Sequence, residues 1–64
     1  MRKGIVQYYL EKKGYGYIRD LETREEFFFK KKHLQSDIRD KVMVYFAVGE
    51  NKQGLYAYNI RRAS

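Results

Sequence analysis

The stretch that decides the fold is Lys13-Gly14-Tyr15-Gly16-Tyr17-Ile18. Side chains alternate across a strand, so Tyr15 and Tyr17 share one face and Arg19 follows them. Gly14, Gly16 and Ile18 share the other. A glycine inside a strand weakens it unless another group approaches closely there. The arrangement that satisfies these residues packs Ile18 inward and bends the wall at Gly16. Two phenol rings then lie side by side outside, with Lys13 at their edge. Flat exposed rings suit nucleic-acid bases, and stacking is worth ~1–3 kcal/mol per base.

The next informative stretch is Phe27-Phe28-Phe29-Lys30-Lys31-Lys32. By the same alternation Phe27 and Phe29 face inward, and Phe28 and Lys30 outward. Antiparallel pairing with Tyr15–Arg19 joins Phe28 to Tyr15 and Tyr17 in one aromatic patch. Lys30 and Lys31 are expected to rim that patch with charge that meets phosphates. A solvated run is the ordinary fate of such lysines, and their position beside the rings argues for contact. Asp20, Glu22, Glu25 and Glu26 form an acidic turn that would repel phosphate, so a bound strand should run elsewhere.

Turns are marked at Glu11–Gly14, Asp20–Glu25 and Gly49–Gly54, with a polar stretch from Gln35 to Lys41. Between them lie five strand-like runs: Gly4–Leu10, Tyr15–Arg19, Glu26–Lys30, Lys41–Val48 and Leu55–Arg61. In the fourth, Val42, Val44, Phe46 and Val48 alternate with Met43, Tyr45 and Ala47. This pattern predicts an all-β fold, a small barrel or sandwich. Closure into a five-stranded antiparallel barrel hides the edges that so small a protein has no other way to cover. A helix over Leu21–Ile38 competes, because Leu21 and Phe28, and Leu34 and Ile38, have helical spacings. Three adjacent phenylalanines would spread around such a helix, so Glu26–Lys30 is assigned to a strand. Residues 31–38 have room for one short helical turn.

Sixty-four residues make a single domain over 1–64. Fourteen Lys and Arg against eight Asp and Glu leave a net charge of +6. The isoelectric point of about 9.7 fits a nucleic-acid binder. Seven tyrosines and four phenylalanines exceed what a small core needs, so some rings must lie at the surface. With no cysteine and one histidine, neither a disulfide nor a zinc site is expected. No run approaches the ~20 apolar residues of a membrane helix. The opening apolar stretch is too short for a signal peptide, being broken by Gln7 and Glu11, and a cytoplasmic setting is expected.

Ser36, Ser64 and His33 build no nucleophile, base and orienting group at workable spacing. No catalytic residue, cofactor or small-molecule substrate is therefore expected. The rival from another class is a small β-barrel that binds a peptide, or a ribosome-associated module reading RNA by shape. A peptide groove needs no net charge of +6, so the basic rim favours a polyanion.

The same residues resemble the bacterial cold-shock protein family. Lys13–Ile18 is similar to the family's first ribonucleoprotein motif, Lys-Gly-Phe-Gly-Phe-Ile. Glu26-Phe27-Phe28-Phe29-Lys30 is similar to the second, Val-Phe-Val-His-Phe preceded by acids. Gly4–Tyr9 resembles Gly-x-Val-Lys-Trp-Phe, and Ala57-Tyr58-Asn59-Ile60 resembles Ala-x-Asn-Val. RNA-recognition motifs share short signatures with these, but their longer pattern asks for Phe or Tyr where Asp20 stands. The resemblance implies a five-stranded oligonucleotide-binding barrel that binds single-stranded RNA and DNA, as an RNA chaperone or regulator, and a monomer is expected.

Carried over residue by residue, the resemblance puts Tyr8 in the place of an exposed tryptophan. Lys13, Tyr15 and Tyr17 match contacting positions of the first motif, and Phe28 the stacking phenylalanine of the second. Tyr56 stands where a ligand-touching glutamine is frequent. Local pattern leaves Tyr8 open, because a bulge turns it either way. Tyr56 and Tyr58 alternate with Ile60 and suit a core equally well. His33 is assigned no function. Lys30 and Lys31 replace a His and a Phe, and Ile38 stands where a loop aromatic is usual. These departures predict weaker base selectivity and stronger salt dependence than the family norm.

Overall fold

The computed structural model describes residues 1–63, and Ser64 lies outside the described residues. Five strands follow in order: β1 (Arg2–Leu10), β2 (Tyr15–Asp20), β3 (Glu26–Lys30), β4 (Met43–Asn51) and β5 (Gly54–Arg62). A single 3₁₀ turn, Lys31–His33, follows β3. The strands close into a barrel in the order β1-β2-β3-β5-β4. All neighbours are antiparallel except β3 and β5, which run parallel and meet at Phe28 and Tyr56. That seam, which the parallel bridge from Leu34 to Ile60 extends, departs from the antiparallel barrel expected. No helix in the described residues is long and apolar enough to cross a membrane.

The barrel is filled by Val6, Ile18, Phe27, Phe29, Val44, Phe46, Ala57 and Ile60, with Ile38 from the long loop. Val42 and Val48 pack against this set, as the alternation along the fourth run requires. Ile38 is thus a core residue and not a stand-in for a loop aromatic. The β4–β5 hairpin runs further than the glycines suggest, pairing Asn51 with Gly54. Only Lys52 and Gln53 remain in its turn.

Two irregularities change the phase of the strands. The pairing of β1 with β2 shifts between Val6 and Tyr8. Val6 faces in, Tyr8 faces out, and Tyr9 returns to pack against the core. The pairing of β4 with β5 shifts between Tyr45 and Ala47. Opposite that shift Asn59 takes the left-handed conformation, with φ 51°. Ala57 and Ile60 therefore both face in, three positions apart. Such a bulge inserts one residue and reverses the alternation. Tyr56 and Tyr58 are consequently half-buried on the outside, and the core reading of that pair does not hold.

Gly16 lets the wall close. It pairs with Tyr9 on β1 and Phe29 on β3. A Cβ there would meet the Tyr8 carbonyl oxygen and lie 2.7 Å from the Phe29 ring. Gly14 serves the turn before β2, with φ +82°, a conformation that costs other residues.

Asp20 is not part of an exposed acidic turn. It is 3% exposed and organises the β2–β3 connection. Its Oδ1 accepts from the backbone N–H of Glu22 at 2.7 Å and of Thr23 at 3.0 Å, and Oδ2 from Arg2 at 3.2 Å. The Thr23 bond leads in holding this carboxyl below its usual range, with Glu22 and Arg2 assisting against desolvation.

Gly16→Ala should destabilise the fold by about 1–3 kcal/mol through overpacking. An unchanged urea midpoint would contradict the close approach. Asp20→Ala should cost roughly 2 kcal/mol near pH 7. Because folding lowers this pKa, the stabilisation is full above the unfolded value and is lost as pH falls through the folded one. Urea unfolding should therefore show the gap between parent and variant narrowing below the ordinary carboxylate range.

Candidate nucleic-acid interface

Register builds the site. Tyr17 pairs with Phe28, and Tyr15 with Lys30, across β2 and β3. Tyr8 on β1 pairs with Tyr17. Four rings thus meet on the outside of three adjacent strands. Tyr8 lies 5.5 Å from Tyr17, centroid to centroid. Tyr17 lies edge-on to Phe28 at 5.7 Å, and Phe28 lies 5.8 Å from Tyr15. These separations are those of interacting aromatic pairs. The rings therefore brace one another and stay partly open to solvent.

The parallel seam carries the surface onward. Phe28 pairs with Tyr56, whose ring lies 5.0 Å from His33 in a stacked arrangement and 5.8 Å from Tyr58. Tyr8, Tyr15, Tyr17, Phe28 and Tyr56 therefore belong to one outer surface. His33 and Tyr58 join it, although neither was singled out as a candidate. No local signal exposes them. His33 reaches Tyr56 only because a 3₁₀ turn follows β3, and Tyr58 is outside only because of the bulge at Asn59.

The two lysines after Phe29 part company. Lys30 borders a hollow with Phe28, His33 and Tyr56. Lys31 opens the 3₁₀ turn, where its N–H donates to the Gly14 carbonyl at 2.9 Å. It borders a different hollow, with Tyr9, Leu34 and Gln35. The single basic rim expected from sequence is therefore split. Lys13 sits on the β1–β2 turn, its N–H bonded to the Leu10 carbonyl at 3.0 Å.

The opposite charges are concentrated elsewhere. Arg2 pairs with Asp20 and Glu25, and Arg19 with Glu26. The Gln7 amide also donates to Glu26 at 2.9 Å. Gln7 and then Arg19 hold the Glu26 carboxyl below its usual range. Among the described residues, Lys13, Lys30, Lys31 and Lys32 enter no ion pair. The acidic turn is thus largely neutralised in place by Arg2 and Arg19, and the lysines beside the rings keep their charge. Desolvation, then Tyr17, Tyr15 and Glu26, push the Tyr8 phenol up, which favours its neutral form.

His33 is held low by the same two causes, which act here against a cation. Burial disfavours its charged form, and Lys32 and Lys30 add repulsion. Its Nδ1 accepts the backbone N–H of Lys30 at 3.1 Å. A neutral imidazole keeps that acceptor and stacks on Tyr56. Among the described residues no cluster of three or more metal-ligating side chains forms.

One family model matches almost the whole chain. The 'Cold-shock' DNA-binding domain matches residues 2–63. The chain belongs to the cold-shock domain family. Nucleic-acid binding follows from that membership. No curated protein matches the chain closely enough to carry an argument. Within this cold-shock domain the two ribonucleoprotein-like motifs lie on β2 and β3, side by side in register.

His33 should titrate with a midpoint below the ordinary 6.5 of imidazole. Folding lowers this pKa, so acidification through that region should reduce stability, which is full above the unfolded value. A proton NMR titration of the chain's single histidine checks this. A midpoint above 6.5 would contradict the half-buried, lysine-flanked setting.

Proposed function

We propose that this cold-shock domain binds single-stranded RNA and DNA along the outer face of β1, β2 and β3. In this reading bases stack on Tyr8, Tyr17, Phe28 and Tyr15, and the strand continues toward Tyr56. Phosphates meet Lys30 beside Phe28, and Lys13 and Lys31 beside the start of β2. The observation that carries the reading is the chain of four rings spaced 5.5 to 5.8 Å apart, flanked by lysines outside any ion pair among the described residues. Stacking tolerates any base, because every base has a π-face, while cations follow the backbone.

A domain that holds bases against its own rings competes with base pairing. It therefore acts as an RNA chaperone or as a regulator of transcription or translation. Such a role needs binding without catalysis, and no cofactor. We place it in the cytoplasm, where such transcripts are made and read. Closure of the sheet removes free edges for strand pairing, which supports action as a monomer.

Phe28→Ala and Tyr17→Ala should each weaken binding of a pyrimidine-rich single strand by about 1–3 kcal/mol, roughly 5- to 150-fold. Quenching of tyrosine fluorescence reports the titration. Lys30→Gln should flatten the dependence of log K on log salt by about 0.7. A slope equal to the parent's would remove Lys30 from the phosphate path. Absence of binding at low salt would refute the function.

A further inference from the structure

Beside the four-ring surface lies a hollow between the end of β3, the 3₁₀ turn and the β4–β5 hairpin. Lys30, Lys32 and His33 border it on one side, and Asn51 and Gln53 on the other. Phe28 and Tyr56 connect it with the ring surface. Its aromatic wall is a built pair. The imidazole of His33 stacks on Tyr56 at 5.0 Å with 25° between the planes. The Tyr56 ring lies over Gly49 of the neighbouring strand, where a Cβ would come within 2.8 Å of it. The imidazole is fixed in turn by the Lys30 N–H.

We infer that this hollow is a further nucleotide subsite, in which a base lies against the His33–Tyr56 pair and its phosphate meets Lys30 and Lys32. The inference rests on the single-strand binding proposed above and adds a position to it.

Three features suit a nucleotide. The ring pair gives a flat wall of the kind bases stack on. Leu55, 51% exposed, adds an apolar contact at the same hollow. Two ammonium groups stand beside the rings. They repel a charged imidazole but attract a phosphate. The side-chain amides of Asn51 and Gln53 each carry donors and an acceptor. Those groups match the mixed edges of bases that expose donor and acceptor together.

The test uses the whole chain and an oligothymidylate of about eight nucleotides, within the site size of one barrel of this type. The ring protons of His33 give an unambiguous NMR signal, because the chain has one histidine. They should shift upfield on titration as a base covers the imidazole. His33→Ala should weaken binding about fivefold or more, and His33→Phe should recover most of the loss. If Phe28→Ala weakens binding while the His33 signals stay and His33→Ala binds like the parent, the subsite is overturned and the single-strand reading stands. If His33→Phe binds as poorly as His33→Ala, stacking at this position is overturned. If the oligothymidylate does not bind at all, both readings fall together. The parent-protein titration depends on no variant, so a His33→Ala that fails to fold leaves the inference open to refutation.

Discussion

The seating of the Phe29 ring against the bare backbone of Gly16 is the contact on which the rest depends. Phe29 is fully buried, and its ring would collide with any side chain at position 16. With Phe29 inward, Phe28 must point outward. With Gly16 inward, Tyr15 and Tyr17 must do the same. A slip of one residue between β2 and β3 would bury Phe28 and expose Phe29. The core and the ring surface are therefore two sides of one register.

Bulges then extend that surface beyond a single pair of strands. The irregularity after Val6 turns Tyr8 outward while Tyr9 keeps its contact with Phe29 at 5.6 Å. The bulge at Asn59 keeps Ala57 and Ile60 inside and leaves Tyr56 and Tyr58 outside. Closure through the parallel β3–β5 seam brings the second set of rings beside the first. Electrostatics divides along the same lines. Asp20, Glu25 and Glu26 are spent on Arg2 and Arg19. The lysines near Tyr15, Phe28 and His33 enter no ion pair among the described residues.

Much of this was legible in the residues. Strict alternation around Tyr15–Ile18 and Phe27–Phe29 gives the inward and outward sets directly, because both segments lie in regular strands. The run from Val42 to Val48 is equally plain. Illegible features depend on departures from regularity or on distant partners. Tyr56 and Tyr58 follow a core-like alternation until Asn59 adopts a left-handed conformation, and one asparagine does not announce a bulge. His33 carries no local signal, since its stacking partner Tyr56 lies on β5, far along the chain. Lys30 and Lys31 are neighbours in sequence, yet the start of the 3₁₀ turn sends them to different hollows. Asp20 reads as one of four surface acids, whereas its two backbone bonds make it the anchor of a turn.

In the proposed binding mode one continuous outer face, from Tyr8 through Phe28 to Tyr56, receives a single strand. Mapping amide and aromatic NMR shifts during titration with a short single-stranded oligonucleotide tests it most directly. The largest changes are expected at Tyr8, Tyr15, Tyr17, Phe28, Lys30 and Tyr56. Lys3, Tyr45 and Arg61, in register with one another on β1, β4 and β5, should change little. Shifts centred on Tyr45, or scattered evenly over the barrel, would contradict it.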